Sequence, residues 1–553
     1  MRKLLAALLA LSIYLAAPCA AIKAESVQKA DGTLRVWLQS LGAVKALGLT
    51  LDGAYTVEGD RGFRFEKGTE IKLGADGGSI VLEVGGAAID MGGGFTLTRH
   101  LDEDGNAGGA YIHESEKDTL YCGDLTFSLR TDGCIRVIVK MQIEDYLYGV
   151  VPYEMSDTFP LEALKAQAVT ARTYAMQRAQ RRAGQDYDVC DTTDDQVFKG
   201  LDTRFELPIQ AVDETRGLVG MYKGGYAECF YSASNGGQTA LATDVWGAGD
   251  YDYLDMRDDP YDLENPESLV RTAVIPFDAR RMNSEIYSLL TQKAGEQLYQ
   301  SGELLPGEAV GLFDVENVEA VEPIYGGQSR QYGVIRFTVR AGVRRYDGPS
   351  TAGVQQLGEV EMLQEPLTLE LDFYDQVRTP LGLALNAGRS DMVTVEKGEE
   401  GFKLTSRRYG HGVGMSQRGA QRMAGVYGMT CEEILAFYYP GLEWVTLEWQ
   451  EPELTAVDAL PESLGYAAPR PTPAPTPAPL PALSQGEYYA AVNVAGVDST
   501  LNVRREPSTQ AEILGVLRNG QRLIVVEEAA DGWVKMKTGE LEGYVMTNFI
   551  VKE

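Results

Sequence analysis

An alternating run of prolines divides the chain into a large N-terminal part and a small C-terminal part. Seven prolines occupy every second position from 469 to 481, interleaved mainly with alanine and threonine. Proline fixes its own φ and lacks an amide hydrogen, so this run favours an extended polyproline II conformation and cannot continue a helix or a central strand. We interpret residues 456–484 as a linker between domains; the alternative is a ligand for SH3 or WW domains.

The length and charge of the chain limit the classes of partner. The 553 residues are enough for several domains, and the formal net charge is −30. Binding to a phosphate backbone needs clustered lysine and arginine, so we expect no nucleic-acid partner.

The first 24 residues have the pattern of an export signal. Arg2 and Lys3 are followed by an uncharged apolar stretch, residues 4–22, which ends among small residues. The stretch is also close to the length of a membrane-spanning helix, so a cleaved signal peptide and a retained membrane anchor remain open for residues 1–24. Because no other long apolar run follows, the rest of the chain is expected outside the cytoplasm.

The cysteines are too sparse for a disulfide scaffold. Cys122 and Cys134 flank a predicted hairpin and could form a bridge, although free buried thiols are an equal alternative. The chain has six cysteines in all: Cys19, Cys122, Cys134, Cys190, Cys229 and Cys431.

Residues 25–455 are expected to form one α+β domain with a β-rich N-terminal part. Residues 26–150 are rich in glycine and in alternating apolar residues, which is typical of strands. Residues 161–182 carry an apolar stripe at three- and four-residue steps and predict the strongest helix. Two shorter helices are predicted over 416–425 and 430–438.

The C-terminal segment, residues 485–553, predicts a small all-β domain. Short apolar strands alternate with turn signals such as Asn519-Gly520 and Asp531-Gly532. The segment resembles a bacterial SH3 domain, which implies an SH3-like barrel of a type that often binds cell-wall peptides, and Trp533 is interpreted as a core residue. The resemblance depends on Leu501-Asn502-Val503-Arg504, Pro507, Gly532-Trp533 and Gly543-Tyr544-Val545.

Three segments of the large domain combine polar and aromatic residues in a way that indicates a functional site. They are residues 143–155 (IEDYLYGVVPYEM) with 162–175 (EALKAQAVTARTYA), residues 231–239 (YSASNGGQT) with 245–247 (VWG), and residues 409–420 (YGHGVGMSQRGA) with 437–441 (FYYPG).

In this order, the three segments resemble the stage II sporulation protein D family (SpoIID), which includes the LytB amidase enhancers. The resemblance extends from about residue 30 to residue 445. It implies lytic transglycosylase activity on peptidoglycan glycan strands, and at least the sporulation members prefer strands stripped of stem peptides. The family's catalytic glutamate, in the sequence V-P-x-E-M, falls on Glu154.

Glu154 also fits this chemistry on general grounds. A carboxylic acid cleaves a glycosidic bond by protonating the leaving oxygen, and hydrolases usually add a second carboxylate. A lytic transglycosylase needs only one, because the muramic acid C6 hydroxyl attacks internally and returns a proton to the same group. Glu154 is predicted between an apolar strand, residues 148–153, and the long helix. That position, with Lys165 and Arg172 nearby, would favour the ionised form, whereas a general acid needs burial to oppose it. The alternative role is helix capping.

Eight further residues are candidates for substrate binding. Lys165 and Arg172 share one helix face, which is otherwise expected to be solvated, and His411 lies between glycines, which otherwise indicates a tight structural turn. The serines and asparagine offer short polar contacts, with loop hydrogen bonding as the alternative, and no Ser-His-Asp arrangement is indicated. The full set is Lys165, Arg172, Ser232, Ser234, Asn235, Trp246, His411 and Gln417.

One departure from the family pattern concerns a zinc site that some relatives carry. Where their sequence commonly reads C-D-T-T-H-C-Q, this chain has Asp194 and Asp195 in place of the histidine and second cysteine. We therefore predict no metal and no cofactor, and Cys190 could instead pair with Cys229. Tyr231 occupies a position that is often histidine in relatives.

These observations predict a peptidoglycan lytic transglycosylase, with Glu154 as its single acid/base and the SH3-like domain holding it at the wall. The alternative is a non-catalytic enhancer or recruiter of a cell-wall amidase. The expected partners are glycan strands and a wall amidase or other wall hydrolase, and the expected location is extracytoplasmic, secreted or membrane-anchored. A sporulation role and a vegetative role both remain open.

Overall fold

The computed structural model describes residues 28–58, 60–102, 104–115, 119–247, 249–326, 329–347, 356–450, 453–456, 483–484, 486–493, 500–518, 520–529, 532–539 and 541–552. They form two compact units, which divide between residues 469 and 470. The predicted signal or anchor segment, residues 1–24, and most of the predicted linker, residues 456–484, lie outside the described residues. No helix in the described ranges is long and apolar enough to cross a membrane.

The first part of the large unit is built of strands, as predicted. Side chains alternate between buried and half-buried along strands such as Thr33–Trp37, because successive residues of a strand point to opposite faces. The strands are β1 (Gln28–Ala30), β2 (Thr33–Trp37), β3 (Ala46–Leu51), β4 (Ala54–Val57), β5 (Asp60–Phe65), β6 (Glu70–Asp76), β7 (Ser79–Val84), β8 (Ala87–Asp90), β9 (Gly94–His100), β10 (Ala110–Ile112), β11 (Asp124–Leu129) and β12 (Ile135–Gln142). One sheet has the order β10-β3-β6-β7-β8, and a second contains the neighbouring strands β2-β12-β11-β9-β4-β5 in that order.

Helices follow directly, and they correct one sequence prediction. The predicted strand over residues 148–153 is wrong: this stretch ends one helix and begins another. Pro152 lies in the first turn of the second helix, where its fixed φ is favourable, and a short buried apolar run does not distinguish helix from strand by periodicity. The elements are α1 (Ile143–Tyr148), α2 (Val151–Glu154), α3 (Leu161–Arg181), β13 (Val189–Cys190), α4 (Glu206–Glu214), β14 (Leu218–Tyr222), β15 (Gly225–Tyr226), β16 (Tyr231–Ser232), α5 (Ala242–Trp246) and α6 (Pro260–Glu264).

Helix α3 is the centre of the large unit. It contacts α4, β14 and two later helices, and most of its side chains from Ala163 to Gln177 are buried. Alanines dominate this stretch, because small side chains let neighbouring elements approach a helix from several directions. The predicted helix over 161–182 is therefore confirmed.

Residues 271–407 form an inserted lobe with its own hydrophobic core, which the sequence analysis did not separate. Helix α7 packs on strands β18 and β21, and its Ile286 and Leu290 share a buried cluster with Phe337 of β19. The lobe contains β17 (Arg271–Pro276), α7 (Ser284–Ser301), β18 (Ala309–Pro323), β19 (Tyr332–Tyr346), β20 (Leu357–Met362), β21 (Leu367–Asp372), β22 (Met392–Lys397) and β23 (Gly401–Arg407).

The chain then returns to the main body of the large unit through β24 (Met415–Ser416), α8 (Gln417–Tyr427), α9 (Cys431–Tyr438) and β25 (Glu443–Trp449). Strand β24 pairs in parallel with β16, and β25 pairs with both β1 and β14. The two predicted short helices are confirmed. The hydroxyl of Ser416 accepts the Gly419 amide hydrogen at 3.0 Å and caps α8, as expected for serine at this position.

The C-terminal unit is rich in strands, in agreement with the predicted all-β domain. The strands are β26 (Tyr488–Val492), β27 (Thr500–Arg504), β28 (Ile513–Arg518), β29 (Arg522–Glu528), β30 (Trp533–Thr538), β31 (Leu541–Met546) and β32 (Ile550–Lys552). Their order is β28-β27-β31-β30-β29-β26-β32, and the end strands β28 and β32 do not pair with each other in the described part of the unit, so no closed barrel is seen there. Trp533 is only 7% exposed, which agrees with a core role. Asn519 and Asp531 of the predicted turns lie outside the described residues.

The cysteines of the described ranges are free thiols, and four of the five are buried. Neither the Cys122–Cys134 bridge nor the Cys190–Cys229 bridge is formed, so the alternative of free thiols is the correct one.

Candidate active site

Segments distant in the sequence meet at a cleft of about 780 Å³ in the large unit. Five of the nine residues proposed for the site line this cleft: Glu154, Ser232, Trp246, His411 and Gln417. They come from α2, β16, α5, the glycine-rich loop before β24, and α8. The pairing of β16 with β24 is what brings the second and third motifs together.

Glu154 is a half-buried side chain at the cleft wall, on the last residue of α2. Gln417 Nε2 donates to its Oε2 at 3.4 Å, and the Tyr231 hydroxyl and the Val197 backbone N–H also donate to the carboxyl group. Burial raises the pKa of Glu154 above its ordinary value, and it outweighs these three hydrogen bonds, which act in the opposite direction. The raised pKa is the shift that a general acid needs.

The two cations expected to oppose this shift lie elsewhere: Lys165 and Arg172, both predicted to bind substrate, are not among the residues that line the cleft. Arg172 is fully buried and forms an ion pair with Glu144, with Nη2 and Oε2 2.7 Å apart. Lys165 bridges Glu162 and Glu214 at 2.8 and 2.6 Å and does not line the cleft. Burial and its ion pair hold the Arg172 guanidinium away from the cleft, and the two carboxylates hold the Lys165 ammonium group outside the cleft lining.

Ser234 and Asn235 were also predicted to bind substrate, and the structure places neither of them in the lining of the cleft. Both are buried: the Ser234 hydroxyl donates to Asp262 at 2.9 Å, and Asn235 Nδ2 donates to Asp259 at 2.7 Å. Burial of Asp259 raises its pKa to about 6. These side chains therefore organise the loop between β16 and α5, which is the loop hydrogen bonding left open as the alternative.

His411 lines the cleft as a neutral imidazole. Its Nδ1 accepts the Val413 amide hydrogen at 3.0 Å, and the ring also bonds to the backbone of Tyr231. Burial lowers the pKa of His411 to about 4. Its ring centroid lies 5.0 Å from that of Trp246, which is 47% exposed. His411 thus joins the glycine-rich loop to β16, and Trp246 presents an open aromatic face to the cleft.

Gly414 shows why the loop around His411 is rich in glycine. Its φ is +72°, and a Cβ there would lie 2.0 Å from the Phe230 carbonyl oxygen. Only glycine accepts both the left-handed conformation and this close approach. The glycines therefore allow β24 to pair with β16, which places His411 and Gln417 at the cleft.

Several cleft residues were not predicted as site residues. Tyr174, Arg178 and Arg181 follow one another along one face of α3 and line the cleft, with Glu228 bound to Arg181 at 2.6 Å. Their spacing of four and three residues was visible in the sequence, but the arginines lie beyond the motif and resemble the solvated end of a helix. The remaining unpredicted lining residues are Thr193, Asp194, Asp195, Val197, Phe230, Tyr231, Ala233, Tyr251, Asn386, Tyr409 and Gly410.

Asn386 is the contribution of the inserted lobe to the cleft. Its Oδ1 accepts the Gly410 amide hydrogen at 2.8 Å, and its Nδ2 donates to the Arg408 carbonyl at 3.0 Å. Arg408 is itself buried and donates to the carbonyl oxygens of Asn235 and Gln238 and to an amide oxygen of the lobe. No local sequence signal indicated this arrangement, because it depends on the lobe folding back onto the main body.

The position at which the family resemblance suggested a zinc site in some members holds an ion pair in this chain. Asp195 accepts from Arg182 Nη1 at 2.6 Å and from the Cys190 backbone N–H at 2.9 Å. Across the described ranges, no three His, Cys, Asp or Glu side chains are grouped so that they could hold a metal ion.

Comparison with known proteins places this architecture in a family. Residues 131–222 match the family model for the stage II sporulation protein (SpoIID), and residues 499–551 match that for the bacterial SH3 domain. An uncharacterized protein of Brachyspira hyodysenteriae is 31% identical over 326 residues, which cover 59% of this chain and 72% of that protein. The stage II sporulation protein D of Bacillus subtilis is 26% identical over 55% of this chain and 75% of its own length. The amidase enhancer of the same organism is 28% identical over 53% of this chain, but over only 39% of its own length.

The chain belongs to the SpoIID family and carries a bacterial SH3 domain at its C-terminal end. Glu154 lies within the part matched by the family model, whereas His411 and Gln417 lie outside it.

Proposed function

We propose that the chain is a peptidoglycan lytic transglycosylase whose single acid/base is Glu154. The observation that supports this most directly is the environment of the carboxyl group, which lines an open cleft and has a pKa raised by burial. A carboxyl group with a raised pKa keeps its proton to higher pH than an ordinary glutamate and can donate that proton to a glycosidic oxygen, as general acid catalysis requires.

The proposed reaction needs only the Glu154 carboxyl group, which donates one proton and then regains one. Glu154 donates its proton to the glycosidic oxygen that leaves, and the bond from muramic acid C1 to that oxygen breaks. The C6 hydroxyl of the same muramic acid attacks C1, its proton passes to the Glu154 carboxylate, and a C6–O–C1 bond forms. Glu154 is again protonated, no water is consumed, and the strand ends in an anhydro-muramic acid.

The rest of the cleft fits a glycan strand. Trp246 and Tyr409 are each 47% exposed, and aromatic faces of this kind pack against the C–H face of a sugar ring. Ser232 and Gln417 offer short polar contacts to hydroxyl and acetamido groups. We propose that its substrates are glycan strands already stripped of stem peptides, as the resemblance to the sporulation proteins implies.

We further propose that the C-terminal domain holds the enzyme at the cell wall, which requires an extracytoplasmic location. A second function is favoured by the amidase enhancer among the relatives. In that case the large unit would recruit or stimulate a cell-wall amidase without cleaving the glycan.

The product assay distinguishes the two functions. Purified protein is incubated with denuded glycan strands, and the products are analysed by mass spectrometry. Wild type should release anhydro-ended saccharides, and Glu154→Gln should release roughly a thousandfold less. The matched control is Asp194→Asn, which makes the same carboxylate-to-amide change at an exposed position of the same cleft, and it should retain anhydro products.

Equal products from wild type and Glu154→Gln would exclude Glu154 as the acid. No product from either protein, together with faster turnover by an added amidase, would support the enhancer function instead.

A further inference from the structure

A chain of hydrogen bonds leads from Glu154 into the core behind the cleft. The Tyr231 hydroxyl bonds to the Glu154 carboxyl group, and Gln196 Nε2 lies 3.0 Å from the Tyr231 hydroxyl oxygen. On its other side, Gln196 Oε1 lies 3.3 Å from the hydroxyl of Tyr146. Gln196 and Tyr146 are both buried, so solvent does not compete for these contacts.

The direction of the hydrogen bonds follows from the chemistry of the groups. Gln196 Nε2 also donates to the Ala171 carbonyl oxygen at 3.4 Å, and a carbonyl oxygen can only accept. The amide NH₂ group of Gln196 therefore faces Ala171 and Tyr231, and its oxygen faces Tyr146. Because the Tyr231 oxygen accepts from Gln196, the hydroxyl hydrogen of Tyr231 is left for the Glu154 carboxyl group.

We propose that Tyr231 is a positioning residue: a fixed hydrogen-bond donor to Glu154 whose direction is set by Gln196. This inference rests on the proposed acid/base role of Glu154. The carboxylate that remains after the first proton transfer is held by three donors, which are the Tyr231 hydroxyl, Gln417 Nε2 and the Val197 N–H. None of the three is oriented to accept, so the proton of the acid form is directed toward the open cleft, where the glycosidic oxygen would lie.

Tyr231 differs from the other two donors in that a single atom can be removed to test it. Ionisable side chains on α1, α3, β16 and the adjoining loops surround Glu154, and their charges can also affect its pKa. Those that border the cleft or pack behind it are Tyr146, Tyr174, Arg178, Arg181, Asp194, Asp195, Glu228, Tyr231 and His411.

The test compares Tyr231→Phe with Tyr174→Phe. Tyr174 also lines the cleft, but its hydroxyl accepts from Arg178 Nε at 2.9 Å. Loss of one donor to a carboxylate should raise the pKa of Glu154 by about one unit in Tyr231→Phe, whereas Tyr174→Phe should not move it. Gln196→Met should give a smaller shift in the same direction, because the Tyr231 hydroxyl would then be free to rotate.

Two readouts are needed. The first is the pH dependence of anhydro-product formation, in which the alkaline limb reports loss of the acid form; a raised pKa moves this limb to higher pH by about one unit. The second is a ¹³C-carboxyl NMR titration of labelled glutamate, with the Glu154 signal assigned by its absence in Glu154→Gln.

The inference is overturned if Glu154 has the same pKa in Tyr231→Phe as in wild type, or if Tyr174→Phe shifts the pKa of Glu154 by the same amount as Tyr231→Phe. A wild type that forms no product at any pH would refute the proposed function, and the NMR titration would still decide the role of Tyr231.

Discussion

Replacing Arg172 by methionine would remove the charge from a buried ion pair and keep most of the apolar length of the side chain. Glu144 would remain, 2% exposed, and its remaining donors among the described residues would be the Gly217 amide and the Trp449 indole N–H, at 3.0 and 2.7 Å. The Val212 and Leu218 carbonyl oxygens would lose the guanidinium donors that lie 3.2 Å from each.

The expected cost is large, because one partner of a buried pair is left uncompensated. Such changes destabilise proteins by about 3–5 kcal/mol, a sizeable part of the roughly 5–15 kcal/mol of a folded protein. Lys165→Met is the matched control, since Lys165 pairs only with half-buried or exposed carboxylates and should lose at most about 1 kcal/mol. Urea unfolding followed by tryptophan fluorescence measures both changes.

The same variants separate stability from substrate binding. Arg172→Met, assayed at a temperature where it is folded, should cleave glycan strands within about threefold of wild type. The double variant Glu144→Gln/Arg172→Met should recover part of the lost stability, because no buried charge then remains unpaired. A variant at Arg172 with unchanged unfolding free energy and strongly reduced cleavage would refute this reasoning and return Arg172 to the substrate-binding set.

Two further predictions concern the cleft. Trp246→Ala should raise the KM for denuded strands roughly three- to tenfold and change kcat less than about twofold, as expected for loss of one stacking contact of about 0.5–1.5 kcal/mol; steady-state kinetics would show this, and an unchanged KM would contradict it. Because burial lowers the pKa of His411 to about 4, its contribution to stability is complete above the unfolded value of about 6.5 and declines as pH falls toward 4. Between pH 7 and pH 4, His411→Gln should therefore lose less unfolding free energy than wild type, as measured by urea unfolding. Equal losses in the two proteins would contradict this prediction.

The sequence predicted the elements whose signal is local. The apolar stripe of α3, the two short helices α8 and α9 and the alternation along β2 each depend on residues within a few positions of one another, and all of them are present in the structure. The predicted strand over residues 148–153 was wrong for the opposite reason. Its apolar residues are buried by contacts from distant elements and have no periodicity of their own.

The candidate site shows the same difference between local signals, which the sequence contains, and long-range contacts, which it does not. Glu154, His411 and Gln417 could be placed in one cleft because motifs indicated them. Arg172 and Asn235 belong to the same motifs, yet their partners Glu144 and Asp259 decide their role, and the sequence contains no sign of those pairings. A motif therefore shows which residues act together but does not distinguish those that face the ligand from those that hold the loops.

The fully buried Arg408 has a consequence for how the large unit is assembled. It directly follows the last strand of the inserted lobe and anchors the lobe to two backbone carbonyls of the main body, and the next three residues form part of the cleft wall. A change in the size or angle of the lobe would therefore be transmitted to Tyr409 and His411. Because β24 pairs with β16, the same change would reach Tyr231 and Gln417, two of the donors to Glu154. The lobe thus links the width of the groove to the acidity of its carboxyl group.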